Sequence, residues 1–94
     1  MEPRRLTGEE TNKLREKQVM LDYYSTMRWM YRLNFKRVED VIQNGEIWQE
    51  GKKKFRAVLP IKKQRIAYVI FIEFPDYLQV KTVGVTARGK KTWG

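Results

Sequence analysis

Tyr24, Arg28 and Arg32 stand four residues apart, a spacing that puts both guanidinium groups on adjacent turns of one helical face. Guanidinium groups stay charged and grip a phosphate through parallel N–H donors, so a ladder of two suits a nucleic-acid backbone. The competing reading is structural, with Tyr24 in the core and the arginine stems laid along apolar surface. A second set is Lys52-Lys53-Lys54 followed by Arg56, a basic turn leading into a strand. Its alternative is a solvated turn whose lysines keep a sheet edge from aggregating. Arg56 is better placed than the lysines, because it falls inside the strand on the face opposite Phe55 and Ala57. The third set closes the chain: Thr86, Arg88, Lys90 and Lys91 with Trp93. Cations beside an aromatic side chain can hold a phosphate and stack on a base, as in single-strand binders; as a disordered tail the same residues would still raise nonspecific affinity. The candidates for nucleic-acid contact are therefore Arg28, Arg32, Lys54, Arg56, Arg88, Lys90, Lys91 and Trp93.

Other chemistries are closed off by composition. Cysteine and histidine are both absent, which removes disulfides, thiolate nucleophiles and ordinary zinc sites, and removes the usual side chain that titrates near neutral pH. The carboxylates Glu39, Asp40, Glu46, Glu50, Glu73 and Asp76 have no metal-loop spacing, and Glu39-Asp40 reads as a pair that favours the amino-terminal half of a helix through its dipole. No phosphate-cradling glycine loop, nucleophile elbow or zinc-finger spacing is present. No metal and no cofactor are expected.

These residues need elements to carry them. Thr7-Gly-Glu-Glu10 reads as a capping box, Thr7 accepting from the first turn and Glu10 reaching back to the cap. From Glu9 to about Leu33 there is neither proline nor glycine, and Leu14, Met20, Tyr24, Met27 and Tyr31 fall near one stripe at helical spacing. One long helix is expected there, with Lys13, Glu16 and Lys17 on its wet side. Val38, Val41 and Ile42 suggest a short second helix, stopped at Asn44-Gly45 by a left-handed glycine. Beyond Gly45 the period becomes two: Phe55, Ala57 and Leu59 alternate with Lys54 and Arg56. Arg65 to Phe74 is almost continuously apolar and reads as a central strand. Tyr77 to Thr86 gives a third, with Leu78, Val80 and Thr82 on one face, and Glu46 to Glu50 a fourth at an edge. The expected fold is α+β, two N-terminal helices, one long and one short, packed on a three- to four-stranded antiparallel sheet. Residues 1–6 read as a mobile basic lead-in and 88–94 as a basic tail, all within one domain spanning 1–94.

The chain is 41% hydrophobic and 13% aromatic, which is enough for a core, and 94 residues allow only one. A formal charge of +9 on so small a surface attracts polyanions. No apolar run approaches the roughly 18 residues a membrane span needs, and no apolar signal core follows the basic N-terminus. A cytoplasmic protein without membrane contact is expected.

Tyr24 to Asn44, read as Tyr-Ser-Thr-Met-Arg-Trp-Met-Tyr-Arg-Leu-Asn-Phe-Lys-Arg-Val-Glu-Asp-Val-Ile-Gln-Asn, resembles the helix, Arg-x-x-x-Arg and following turn of small BrnT-like domains. Ile66 to Arg88 resembles their closing hairpin, which ends in a Val-x-Val-Thr-Ala-Arg type of sequence. Those domains belong to the RelE-like superfamily, many of whose members are ribonuclease toxins. The resemblance implies an RNA-directed role, with Arg28, Arg32 and Arg88 at positions where relatives often carry basic residues. This chain has Tyr24 where many relatives have a histidine one turn before the first arginine. Metal-independent RNA cleavage activates a 2′-hydroxyl, stabilises a phosphorane and protonates the leaving oxygen. Arg28, Arg32 and Arg88 would serve the second task, and Tyr24 or Lys54 the proton transfers.

Three readings stay open at this level. One is an RNA-binding, RelE/BrnT-like protein acting as a metal-independent endoribonuclease. Another is a non-enzymatic nucleic-acid-binding regulatory module, with DNA as a further ligand. The third is a protein-interaction domain, held by an acidic antitoxin-like partner or self-associating as a homo-oligomer through aromatics such as Trp29 and Trp48.

Overall fold

Thr7 begins the first helix in the way its sequence demands. Its hydroxyl accepts from the Glu10 N–H at 3.2 Å and the Glu10 carboxylate accepts from the Thr7 N–H at 3.0 Å, satisfying two of the donors a helix start leaves open. The computed structural model describes residues 3–21, 35–62 and 65–87. In chain order these form β1 (Arg4–Arg5), α1 (Gly8–Arg15), β2 (Gln18–Leu21), α2 (Phe35–Asn44), β3 (Glu46–Gln49), β4 (Lys54–Lys62), β5 (Arg65–Glu73) and β6 (Tyr77–Ala87). The strands make one six-stranded sheet in the order β1-β3-β4-β5-β6-β2.

This overturns the expected fold class. The long helix from Glu9 to Leu33 does not exist: α1 stops at Arg15, and Gln18–Leu21 is a strand lying parallel to β6, Gln18 opposite Tyr77 and Leu21 opposite Val80. The sheet is mixed and six-stranded, not a three- to four-stranded antiparallel meander, and the described helices are separated by a strand. Two interactions stop α1. The Lys17 N–H bonds to the Leu14 carbonyl, three residues back, tightening the last turn. The Lys17 ammonium then reaches the Glu73 carboxylate at 2.6 Å and the Phe74 carbonyl at 2.9 Å, which draws the chain to the β5–β6 connection. Beyond that point the residues alternate. Val19 and Leu21 pack on the core, while Gln18 and Met20 face outward, Met20 being 44% exposed. Leu14 and Met20 therefore do not share a stripe. Tyr24, Met27 and Tyr31, the rest of it, lie outside the described residues.

The expected lead-in carries structure as well. Arg4 and Arg5 pair antiparallel with Gln49 and Trp48, and Leu6 is buried with its N–H on the Ile47 carbonyl. That makes β3 an inner strand and not the edge its sequence suggested.

Both described helices lie on one face of the sheet. Leu14 from α1 and Val38, Val41 and Ile42 from α2 join Ile47, Phe55, Ala57, Ala67, Val69, Phe71, Leu78, Val80 and Val83 in a single apolar cluster. Phe71, fully buried on the central strand, stacks on Phe55 with ring centroids 5.7 Å apart. Truncation of such a residue costs about 3–5 kcal/mol. A bulge keeps the inward set continuous: Phe71 faces Val80 but Ile70 faces Thr82, leaving Lys81 as the extra residue. Val83 thus turns inward and Thr82 outward, the reverse of simple alternation along this strand.

The second helix ends where its sequence indicates, for a different reason. A Cβ on Gly45 would lie 2.4 Å from the Val58 carbonyl oxygen and 2.5 Å from that of Val41. Close approach of α2 to β4, not a left-handed backbone, requires glycine here. Arg15 secures this junction by donating from Nε to the Ile42 carbonyl at 2.9 Å and from Nη2 to the Gly45 carbonyl at 2.7 Å. A cation thereby satisfies carbonyls that the end of α2 would leave open.

Candidate nucleic-acid interface

Of the residues nominated for catalysis and contact, Tyr24, Arg28, Arg32, Arg88, Lys90, Lys91 and Trp93 lie outside the described residues. Lys54 and Arg56 are described, and the structure separates their roles. Arg56 points from β4 to the face opposite the helices, where its Nε lies 3.2 Å from a Glu50 carboxylate oxygen; both side chains are 13% exposed. That nitrogen is buried without an aligned hydrogen bond, so the contact is an ion pair held by proximity. The Arg56 guanidinium also stands 5.8 Å from the centre of the Tyr68 ring, within cation–π range. Its charge is committed inside the protein. The Tyr68 ring in turn lies across Gly84, where a Cβ would come within 2.6 Å of the phenol oxygen.

Lys54 belongs to a different environment. It opens β4, next to Lys52 and Lys53 in the exposed turn that joins β3 to β4, and the turn's backbone is tied down. The Lys54 carbonyl accepts from the Glu50 N–H at 2.8 Å and the Gly51 N–H at 3.2 Å, the Lys53 carbonyl from the Glu73 N–H at 2.8 Å, and the Lys52 carbonyl from the Gln49 amide at 3.3 Å. These lysines are displayed from an ordered backbone.

The distribution of the carboxylates decides where positive charge is left over. Glu10 pairs with Arg4 at 2.9 Å, Glu46 with Arg5 at 3.4 Å, Glu73 with Lys17 at 2.6 Å, Glu50 with Arg56 at 3.2 Å and Asp40 with Arg37 at 4.0 Å. Lys13, Lys52, Lys53 and Lys54, like Lys36 on α2 and Arg65 on β5, have no carboxylate within ion-pair distance among the described residues. Lys13 and Lys52 line one cleft of about 350 Å³ between α1 and the turn, so the unanswered charge of the turn continues onto the helix.

Arg4 and Glu10 build the cleft's outer wall. The guanidinium donates from Nη1 to Oε1 at 3.0 Å and from Nη2 to Oε2 at 2.9 Å, and from Nη2 to the Gln49 amide oxygen at 2.8 Å. The Arg4 hydrogen bonds, with that from the Thr7 N–H, hold the Glu10 carboxyl down at about 2, and the same contact raises Arg4 above its ordinary value.

Lys13 was legible in the sequence only as one residue on a wet helical face. Its position beside Lys52 depends on where α1 crosses the sheet, which no local pattern specifies. The Glu50 to Arg56 pair depends likewise on the β3–β4 register, with Trp48 opposite Arg56. Among the described residues no cluster of three or more carboxylates could hold a metal ion, and no helix is long and apolar enough to cross a membrane.

No family model matches this chain, and no curated protein or solved structure matches it significantly.

Proposed function

We propose that this protein binds RNA through the phosphate backbone, with Lys52 and Lys53 of the β3–β4 turn, Lys54 at the start of β4 and Lys13 of α1 as the gripping cations. The observation that carries the reading is a clustering of cations: these four lysines, on a hydrogen-bonded turn and an adjoining helix, have no ion pair among the described residues, while Arg4, Arg5, Lys17, Arg37 and Arg56 are paired with carboxylates. Ammonium groups on long stems make contacts that position a strand without reading its sequence. The RNA preference rests on the resemblance of 24–44 and 66–88 to BrnT-like domains.

Four neutralised phosphates on a single strand give a salt slope of about −3, or about 50-fold weaker binding between 50 and 200 mM salt. Fluorescence anisotropy with a labelled single-stranded RNA measures this directly. Reversing Lys52, Lys53 and Lys54 to glutamate should abolish binding at 100 mM salt. A flat salt response, or full affinity in the triple variant, would reject the proposal. The reading extends to metal-independent cleavage by Tyr24, Arg28, Arg32 and Arg88. Its test is incubation of a labelled mRNA in EDTA with wild type, Arg28→Ala and Arg88→Ala; intact RNA at high protein concentration would confine the function to binding.

A further inference from the structure

The cleft between α1 and the β3–β4 turn combines fixed walls with a pair of lysines on opposite sides. Its outer wall is the Arg4–Glu10–Gln49 network. Its floor is apolar, made by Leu6, Leu14 and Phe55, each under 10% exposed. At the inner end Glu73 is answered by Lys17, as Glu10 is by Arg4. The two carboxylates that line the cleft are thus neutralised, and the unanswered charges are Lys13 from the helix and Lys52 from the turn. A volume of about 350 Å³ is at the small end of ligand-binding clefts, which run from about 300 to 1,000 Å³, and suits one nucleotide better than a run of them.

We propose that this cleft is a subsite for a single phosphate-bearing nucleotide, with Lys13 and Lys52 on the phosphate and the base against the apolar floor. The assignment deepens the RNA-binding reading and rests on it for the idea that the nucleotide is the end of a strand; a free mononucleotide offers the same chemistry. Walls already held by ion pairs and hydrogen bonds lose little freedom when a ligand enters, which favours capture. Lys36 provides an internal control, since it is an exposed lysine on α2 that does not line the cleft.

The test is an NMR titration of the full chain with adenosine 5′-monophosphate, adenosine and inorganic phosphate, in wild type, Lys13→Ala, Lys52→Ala and Lys36→Ala. All three lysines are exposed, and an unchanged thermal midpoint verifies that each variant folds. The monophosphate should shift the signals of Leu6, Glu10, Lys13 and Lys52, adenosine alone should not, and inorganic phosphate should shift the two lysines only. Loss of Lys13 or Lys52 should weaken the monophosphate about tenfold, as removal of a charged hydrogen-bond partner does, with Lys36→Ala within twofold of wild type. Equal shifts from adenosine, or equal weakening by Lys36→Ala, would overturn the assignment. A tighter fit of a 5′-phosphorylated than a 5′-hydroxyl RNA identifies the strand end as the ligand, and no difference assigns the cleft to the free mononucleotide. Monophosphate binding without RNA affinity would keep the cleft and remove the RNA reading. RNA affinity without monophosphate shifts would do the reverse.

Discussion

Arg4 and Glu10 meet through two parallel hydrogen bonds of 3.0 and 2.9 Å, joining the first strand to the first turn of the helix that follows it. The side chains are 53% and 41% exposed, so the pair's effect is read as a dependence on pH and salt. Glu10 is held at about 2 in the folded protein, below the ordinary carboxylate value of the unfolded chain. A group depressed in this way stabilises the fold above its unfolded pKa, near 4.5, and that contribution is lost as pH falls through the folded value. The thermal midpoint of wild type should therefore exceed that of Glu10→Gln at pH 6, with the gap closing between about pH 4.5 and 2. At 1 M salt, where the screening length is about 3 Å, the gap at pH 6 should narrow. A gap independent of pH would show that the carboxylate's charge plays no part.

Gly45 and Gly84 both lack room for a methyl group, but their neighbours differ in kind. At Gly45 the obstacles are backbone carbonyls of α2 and β4, which move only if the helix moves. At Gly84 the obstacle is the outer end of the half-buried Tyr68 side chain. Gly45→Ala should lose about 3 kcal/mol, the upper part of the range for overpacking, and Gly84→Ala about 1 kcal/mol. Urea denaturation of the two variants checks the order; equal losses would show that Tyr68 is as rigidly placed as the backbone.

These glycines also show how unevenly the fold could be read from the chain. The cap at Thr7 was legible because it depends on residues within one turn of itself; the end of α2 at Asn44-Gly45 was read in the right place, although its glycine answers to β4 and not to a local turn. The strands 54–62, 65–73 and 77–87 were legible because their apolar residues are spaced for a sheet and separated by turns. Residues 14–21 were not. Leu14 and Met20 satisfy a helical period, Val19 and Leu21 an alternating one, and the choice is made by β6, almost 60 positions later in the chain. The same applies to the site. Lys52, Lys53 and Lys54 were visible as a basic turn, whereas their connection to Lys13 and the neutralisation of Arg56 by Glu50 follow only from the packing of α1 and the β3–β4 register.

Lys17 stands at the point where the helix reading fails, and its ammonium bridges the Glu73 carboxylate and the Phe74 carbonyl. Its side chain is 22% exposed and that of Glu73 30%, so the bridge is partly screened and its contribution lies near the lower end for charged hydrogen bonds, about 1–2 kcal/mol. Lys17→Met retains the apolar stem and removes the charge. It should lower stability in urea by that amount, and amide exchange should speed up in Gln18–Leu21 before it does in β4 or β5, because the bridge anchors the start of β2. Uniform acceleration would place the Lys17 contribution in global stability and not at this junction.

Arg56 and Lys54 lie two residues apart on β4 and should separate cleanly by experiment. Arg56 is held between Glu50 and the Tyr68 ring, largely out of solvent, and its removal strands a carboxylate that is equally enclosed. Breaking such a pair from one side is more damaging than replacing both partners. Arg56→Gln should therefore destabilise the protein by about 3 kcal/mol, Glu50→Gln by a similar amount, and the double variant by less than their sum. RNA affinity, measured well below the unfolding transition, should be unchanged in all three. Lys54→Gln should do the opposite: an unaltered urea midpoint with a salt slope shallower by about 0.7, the loss of one phosphate contact on a single strand. If Arg56→Gln weakened RNA binding as much as Lys54→Gln while leaving stability intact, the guanidinium would be reaching the ligand, and the division of cations into paired and gripping sets would be wrong.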